Sequence, residues 1–228
     1  MAALANELTG AGYAGWRRST AWPTAFGTSQ FARLLPPGHW HALPAAVRHR
    51  FERKATASAA ITYAGEVVEC RMTAAGWLLA QAARLIGAPL PPGRDTGVPA
   101  TVCITEDRAG NGQYWSRNYG RAAGFPQVIQ SAKRFAGPTG LEEYLGHGIG
   151  IALRLAIEDG SLLFVGDHYF LRIAGVRLHW PRRLAPGELV IRHQDIGGGR
   201  FVFALDLTHP WLGELIHQVA LFADPVER

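Results

Sequence analysis

Cysteine is scarce in this sequence, and the two that occur, Cys70 and Cys103, form no CxxC pair. Two thiols are too few for a disulfide scaffold or an all-thiolate zinc site. They are expected as buried free thiols in a reducing compartment, which points to the cytoplasm. Long apolar runs are missing too. The longest stretch, TAAGWLLAQAARLIGAPL at 73–90, is interrupted by Gln81 and Arg84. It is too short to span a bilayer, although a helix there, flanked by Arg71 and Arg84, keeps a membrane surface open as a partner. The N-terminus lacks a basic stretch ahead of an apolar one, so it reads as a loosely ordered lead-in over 1–27 and not as a secretory signal. Basic runs are absent although the net charge is +5 and the pI about 9.6. Scattered Lys and Arg give no nucleic-acid footprint, and no nucleic-acid partner is expected. The aromatic and basic stretch Trp115-Ser116-Arg117-Asn118-Tyr119 is not repeated on neighbouring segments, so it reads as core packing and not as a stacking surface.

The usual catalytic signatures are absent as well. No GxGxxG opens a βαβ unit, no HExxH or other metal motif occurs, and no GxSxG elbow is present. GHGIG (146–150) leads into a strand, whereas a phosphate loop opens a helix. The HWH at 39–41 sits in a loop, and Ser131 and Ser161 have no assignable partner. No metal and no cofactor are expected.

What is there is a core. Hydrophobic residues make up 48 % and charged residues 18 %, enough apolar material for a globular domain. Helical signals fall early: a short helix from Ser29 to Leu35, stopped by Pro36-Pro37-Gly38, then 42–53 with Leu43, Val47 and Phe51 on one face, then 73–86 with Thr73 as cap. From residue 98 the period becomes two. Val98, Ala100, Val102 and Ile104 alternate with polar or small neighbours, and so do 151–158 and 201–207. Turn signals at AGNG (109–112), Asp159-Gly160 and Gly197–Gly199 join these runs into hairpins, which forces antiparallel pairing. Eight or nine strands in meander order must curl or close. The expected fold is α+β: N-terminal helices, then a large curved antiparallel sheet, half-barrel or barrel, wrapped around the 73–86 helix. One domain over 28–223 and a tail over 224–228 complete the plan.

Polar residues on apolar strand faces are the candidates for chemistry. His193 and Asp195 share a face with Leu189 and Ile191. His217 shares one with Leu215, Val219 and Leu221, and Asp167 and Tyr169 share one with Leu163, Val165, Leu171 and Ile173. Arg117 lies between Trp115 and Tyr119, and Glu143 between Leu141 and Leu145 with His147 next in line. Buried charges need partners. These residues therefore read either as an internal network, with Arg117 paired to Glu143 or Asp167, or as the wall of a wet pocket.

Several segments, in order, resemble the DUF4166 family, a bacterial domain of unknown function. They are YAGEV (63–67), LIGAPLPPGRDTGVPATVCI (85–104), YWSRNYG (114–120), EEYLGHGIGIALRL (142–155), GVRLHWPRRLAPGE (175–188) and GRFVFALDLTHPWLGELIHQVALF (199–222). The resemblance covers about 28–223. The family occurs alone or behind reductase-like domains, which implies a separately encoded reductase as a partner. It supplies no mechanism and no catalytic residues. The last strand reads VALFAD where the family tends to carry a Tyr-x-Gly step. The family's Gly-x-x-Leu-x-x-Pro corner stands here as Gly175, Leu178 and Pro181. Proline cannot donate to a ladder, so the corner should redirect one strand into the next. Trp180 would then cover the open end of the sheet, with Arg182 and Arg183 at an anion-attracting rim.

Three functions follow from this reading. The first is binding of a small, largely apolar ligand, lipid- or isoprenoid-like, with Arg117, Glu143, Asp167, His193, His217, Trp180 and Arg182 at the pocket. The second is an isomerase or cyclase using His193, His217, Asp167 or Glu143 for acid/base work. The third is a non-catalytic accessory partner of a reductase, with a filled interior.

Overall fold

The structure, a computed structural model, describes residues 29–55, 59–87, 90–91 and 93–225. The expected 1–27 lead-in and the end of the expected tail, 226–228, lie outside the described residues. The period-two segments form eleven antiparallel strands: β1 (Ile61–Met72), β2 (Val98–Asp107), β3 (Gly112–Tyr119), β4 (Gln127–Arg134), β5 (Glu142–Gly146), β6 (Ile149–Glu158), β7 (Ser161–Ile173), β8 (Val176–His179), β9 (Glu188–Gly197), β10 (Arg200–His209) and β11 (Gly213–Ala223). Their order is β6-β5-β4-β3-β2-β1-β11-β10-β9-β7-β8, and β7 pairs back onto β6. Ten strands therefore close into a barrel, with β8 standing outside the ring as a lip on β7. Closure leaves no unpaired edge around the ring, the usual answer to a long meander.

β7 makes the closure possible because it is long enough to use one edge twice. Leu162–Val165 pair with β9, and Phe170–Ile173 pair with β8. The turns follow the sequence signals. Asp159-Gly160 and Ala174-Gly175 both have positive φ at each central residue, the geometry whose twist suits a two-residue hairpin.

The α+β expectation is corrected toward mostly β. The early helical signals give two 3₁₀ turns (Phe31–Leu34 and His39–Ala42) and the helix α1 (Ala45–Glu52), and the third gives α2 (Ala74–Ala83) with a 3₁₀ extension over Arg84–Ile86. The sheet does not wrap around α2. A barrel closed on itself covers its own inner face, so no central helix is needed. α2 is capped by Thr73, whose Oγ1 accepts from Gly76 N, and it packs on β11. A Cβ at Gly76 would fall 2.1 Å from the Leu215 carbonyl oxygen, so only glycine lets helix and strand approach this closely.

The two ends of the barrel differ. At one end α1 and the 3₁₀ turns form an aromatic floor. Phe31 stacks edge-on against Phe51 (5.3 Å), Phe135 (4.9 Å) and Phe164 (6.0 Å). Arg50 of α1 is buried. It bonds Asp195 at the end of β9 (2.8 Å) and Asp224 after β11 (2.7 Å), pinning the floor to the wall. The opposite end is covered by α2 and by the corner after β8. Cys70 and Cys103 are free and half-buried. No helix of the described residues is long and apolar enough to cross a membrane.

Candidate functional site

Between floor and helix the barrel holds a cavity of about 360 Å³. Its upper wall comes from Leu79, Ala83 and Ile86 on the α2 side and from Trp180, Leu184 and Pro186 of the corner. The corner is held shut by Trp180, which donates from its backbone N to Tyr169 O (2.9 Å) and from Nε1 to Leu184 O (3.1 Å). The lower wall includes Trp115, Phe164, Phe203 and Phe222. Burial pushes the Tyr119 and Tyr169 hydroxyls up, so both stay neutral.

Among the described residues a single charge cluster interrupts this lining, built by register. Lys133 of β4 lies directly opposite Glu143 of β5, and Ser131 directly opposite Trp115 of β3. Arg117 comes from the same face of β3. Lys133 Nζ donates to Glu143 Oε2 (2.8 Å), while Ser131 Oγ (2.6 Å) and Arg117 Nη2 (3.1 Å) both donate to Oε1. Arg117 Nη1 also donates to Ser131 Oγ (3.2 Å). The Lys133 ammonium lies 4.7 Å from the Trp115 ring centroid and 5.5 Å from that of Phe164, within cation–π range. Phe164 is part of the floor, so the cluster sits at the deep end. Burial alone would raise the Glu143 pKa, but Lys133 and Arg117 outweigh it and bring it down to about 2. Burial lowers Lys133 to about 8, more than Glu143 can restore.

The structure brings three of the expected residues, Arg117, Glu143 and Trp180, to the cavity wall. His193 also points inward but lies below the cavity. It is 1 % exposed and packed against Phe51, Phe201 and Phe203 at 4.8–5.0 Å. Among the described residues neither ring nitrogen meets a hydrogen-bond partner. Burial, then the Arg50 charge, pushes its pKa down to about 3, so it stays neutral at pH 7.

The other three lie elsewhere. His217 is on the outer face of β11, where its Nδ1 lies 2.5 Å from Asp206 Oδ1; the inward face carries Gln218, Ala220 and Phe222. Both faces of β11 are apolar, so alternation alone cannot choose between them. Asp167 is the extra residue of a β-bulge, since Ala152 pairs with His168 and Leu153 with Gly166. The bulge reverses the alternation. Tyr169 therefore lines the cavity, while Asp167 bonds Arg154 (2.5 Å) and His168 (2.7 Å) away from it. An Arg117–Asp167 pair does not form. Arg182 is exposed on the 3₁₀ turn Arg182–Leu184.

Lys133 escaped the sequence reading. In QVIQSAKR its face reads Ile129, Ser131, Lys133 and the other reads Val128, Gln130, Ala132, so neither face is apolar enough to mark a buried lysine. Only its position opposite Glu143 could have found it. On the outer face Asp206, Glu214 and His217 bring three potential metal-ligand atoms within 4.8 Å of one another. Arg71 already donates to both Glu214 oxygens at 3.1 Å.

Fold and cavity together define a class: an antiparallel ten-strand barrel with an aromatic floor, a helical cover and a charge cluster in the cavity wall. Residues 43–222 match the model of DUF4166, a domain of unknown function, and the chain belongs to that family. No curated protein matches the sequence.

Proposed function

We propose that this protein binds a small, largely apolar molecule inside the barrel. The observation that carries the reading is the cavity: about 360 Å³, at the lower end of the roughly 300–1,000 Å³ typical of small-molecule sites. Its wall is apolar apart from a few convergent polar groups, as such sites are. Eight strands make a barrel that side chains just fill or that holds one small ligand; ten leave more room, and here the room is not filled. An unfilled interior weighs against a purely accessory role beside a reductase.

Acid/base catalysis finds less support. His193 is neutral and below the cavity, His217 and Asp167 lie outside it, and Glu143 is held ionised by three donors. Among the described wall residues Lys133 is the one group brought near neutral pH, to about 8. Native mass spectrometry of gently purified protein, with organic extraction of the same sample, tests the reading. One small apolar molecule per chain is expected. Bare chain that also takes up neither decanol nor decanoate on incubation counts against it.

A further inference from the structure

The charge cluster is unbalanced. Among the described cavity-wall residues Arg117 and Lys133 are the only bases and Glu143 the only acid, so one positive charge is in excess. Glu143 already accepts three hydrogen bonds, one on Oε2 and two on Oε1, of the roughly four a carboxylate can take. A lysine and an arginine carry eight N–H groups between them, and only three are used within the cluster. A purely structural pair needs one cation for one carboxylate. A second, half-buried cation without its own counter-charge is costly to keep. What the deep end lacks is an acceptor with a negative charge.

The placement gives the direction of binding. Phe164 touches both the floor ring Phe31 (6.0 Å) and the Lys133 ammonium (5.5 Å), so the cations sit beside the closed end. Towards α2 the wall is made of Leu79, Ile86, Leu145, Ile149 and Leu184. An apolar tail fits there and a charged head does not.

Resting on the cavity reading above, we propose that the ligand is a monoanionic amphiphile, a carboxylate on an apolar chain. It enters head first, with the carboxylate on Lys133 and Arg117 and the chain running up to α2. A planar carboxylate suits the guanidinium fork, and its single charge equals the excess in the cluster.

Three ten-carbon probes that differ only in the head test this: decanoate, decanol and decylamine, titrated calorimetrically into the full chain at pH 7. Decanoate is expected to bind at least ten-fold tighter than decanol, with decylamine weakest. In Arg117→Met the advantage of decanoate should fall to about three-fold or less, while Arg117→Lys keeps most of it. Equal binding of decanoate and decanol, or tightest binding of decylamine, overturns the head-group assignment and leaves the cavity reading standing. Binding of none of the three overturns both. The wild-type series decides without any variant having to fold.

Discussion

Glu143 and Lys133 are direct cross-strand partners, yet removing one or the other should have very different consequences. In Glu143→Gln the buried Lys133 and the half-buried Arg117 stay with no carboxylate between them. Breaking a buried pair from one side typically costs about 3–5 kcal/mol, because the survivor is left uncompensated. In Lys133→Met the carboxylate keeps Arg117 at 3.1 Å and the Ser131 hydroxyl at 2.6 Å, and a desolvated ammonium is replaced by an apolar chain of similar length. That change should cost roughly 0–2 kcal/mol. At this chain length 1 kcal/mol moves Tm by about 2–4 °C, so Glu143→Gln should lower Tm by roughly 6–20 °C and Lys133→Met by roughly 0–8 °C. The double variant should cost less than the sum of the singles. Urea unfolding and differential scanning calorimetry at pH 7 read both. A Glu143→Gln protein within about 1 kcal/mol of wild type, or a Lys133→Met protein less stable than it, refutes the cluster's electrostatics.

Other outcomes follow from the same geometry. The Glu143 pKa is depressed to about 2, so its contribution is complete above about 4.5, its unfolded value, and is lost as pH falls towards 2; Lys133, lowered to about 8, binds a proton more readily in the unfolded chain between about 8 and 10.5, so its own contribution to stability rises across that window, against the opposite contribution of the raised Cys70. Both contributions should be missing from Lys133→Met/Glu143→Gln, leaving those of the lowered Asp107, Asp167 and Glu214 on the acid side and of the raised Cys70 and tyrosines on the alkaline side; an unchanged pH–stability profile in that protein contradicts the assignment. His193→Leu removes two nitrogens without partners among the described residues, and an unsatisfied buried polar group costs about 1–3 kcal/mol; its Tm should hold or rise, and a drop of more than about 5 °C shows that the imidazole has a partner. Gly76→Ala puts a methyl 2.1 Å from Leu215 O; overpacking should cost about 1–3 kcal/mol and raise binding of an apolar dye as α2 lifts, and wild-type stability argues against the close approach.

Much of the barrel was legible because alternation and turn chemistry are local. Asp159-Gly160 marks its hairpin, and Val98 to Ile104 mark an inward face. His193, Arg117 and Glu143 were placed inward because on β9, β3 and β5 their faces are apolar on one side. The failures also have local causes. The bulge at Asp167 inserts one residue, and every inference made across it inverts. β11 is apolar on both faces, so His217 and Gln218 were equally eligible for the interior. β4 is polar on both faces, so Lys133 gave no signal until β5 was set beside it. The 73–86 helix was found, but its position was not. A wide apolar stripe implies a buried helix, but Leu78 and Leu85 of that stripe stay exposed; the buried side of α2 is Gly76, Ala80 and Ala83, and the fit of Gly76 on Leu215 decides where the helix sits.

The most direct test of the central claim is calorimetric titration of decanoate into wild type and into Ala220→Trp. Ala220 is buried on the inward face of β11 and lines the cavity, so an indole there occupies the space a ligand would use. The account predicts one molecule bound per wild-type chain and none by an Ala220→Trp protein with an unchanged far-UV spectrum. Equal binding by the two proteins would place the ligand outside the barrel and contradict the account.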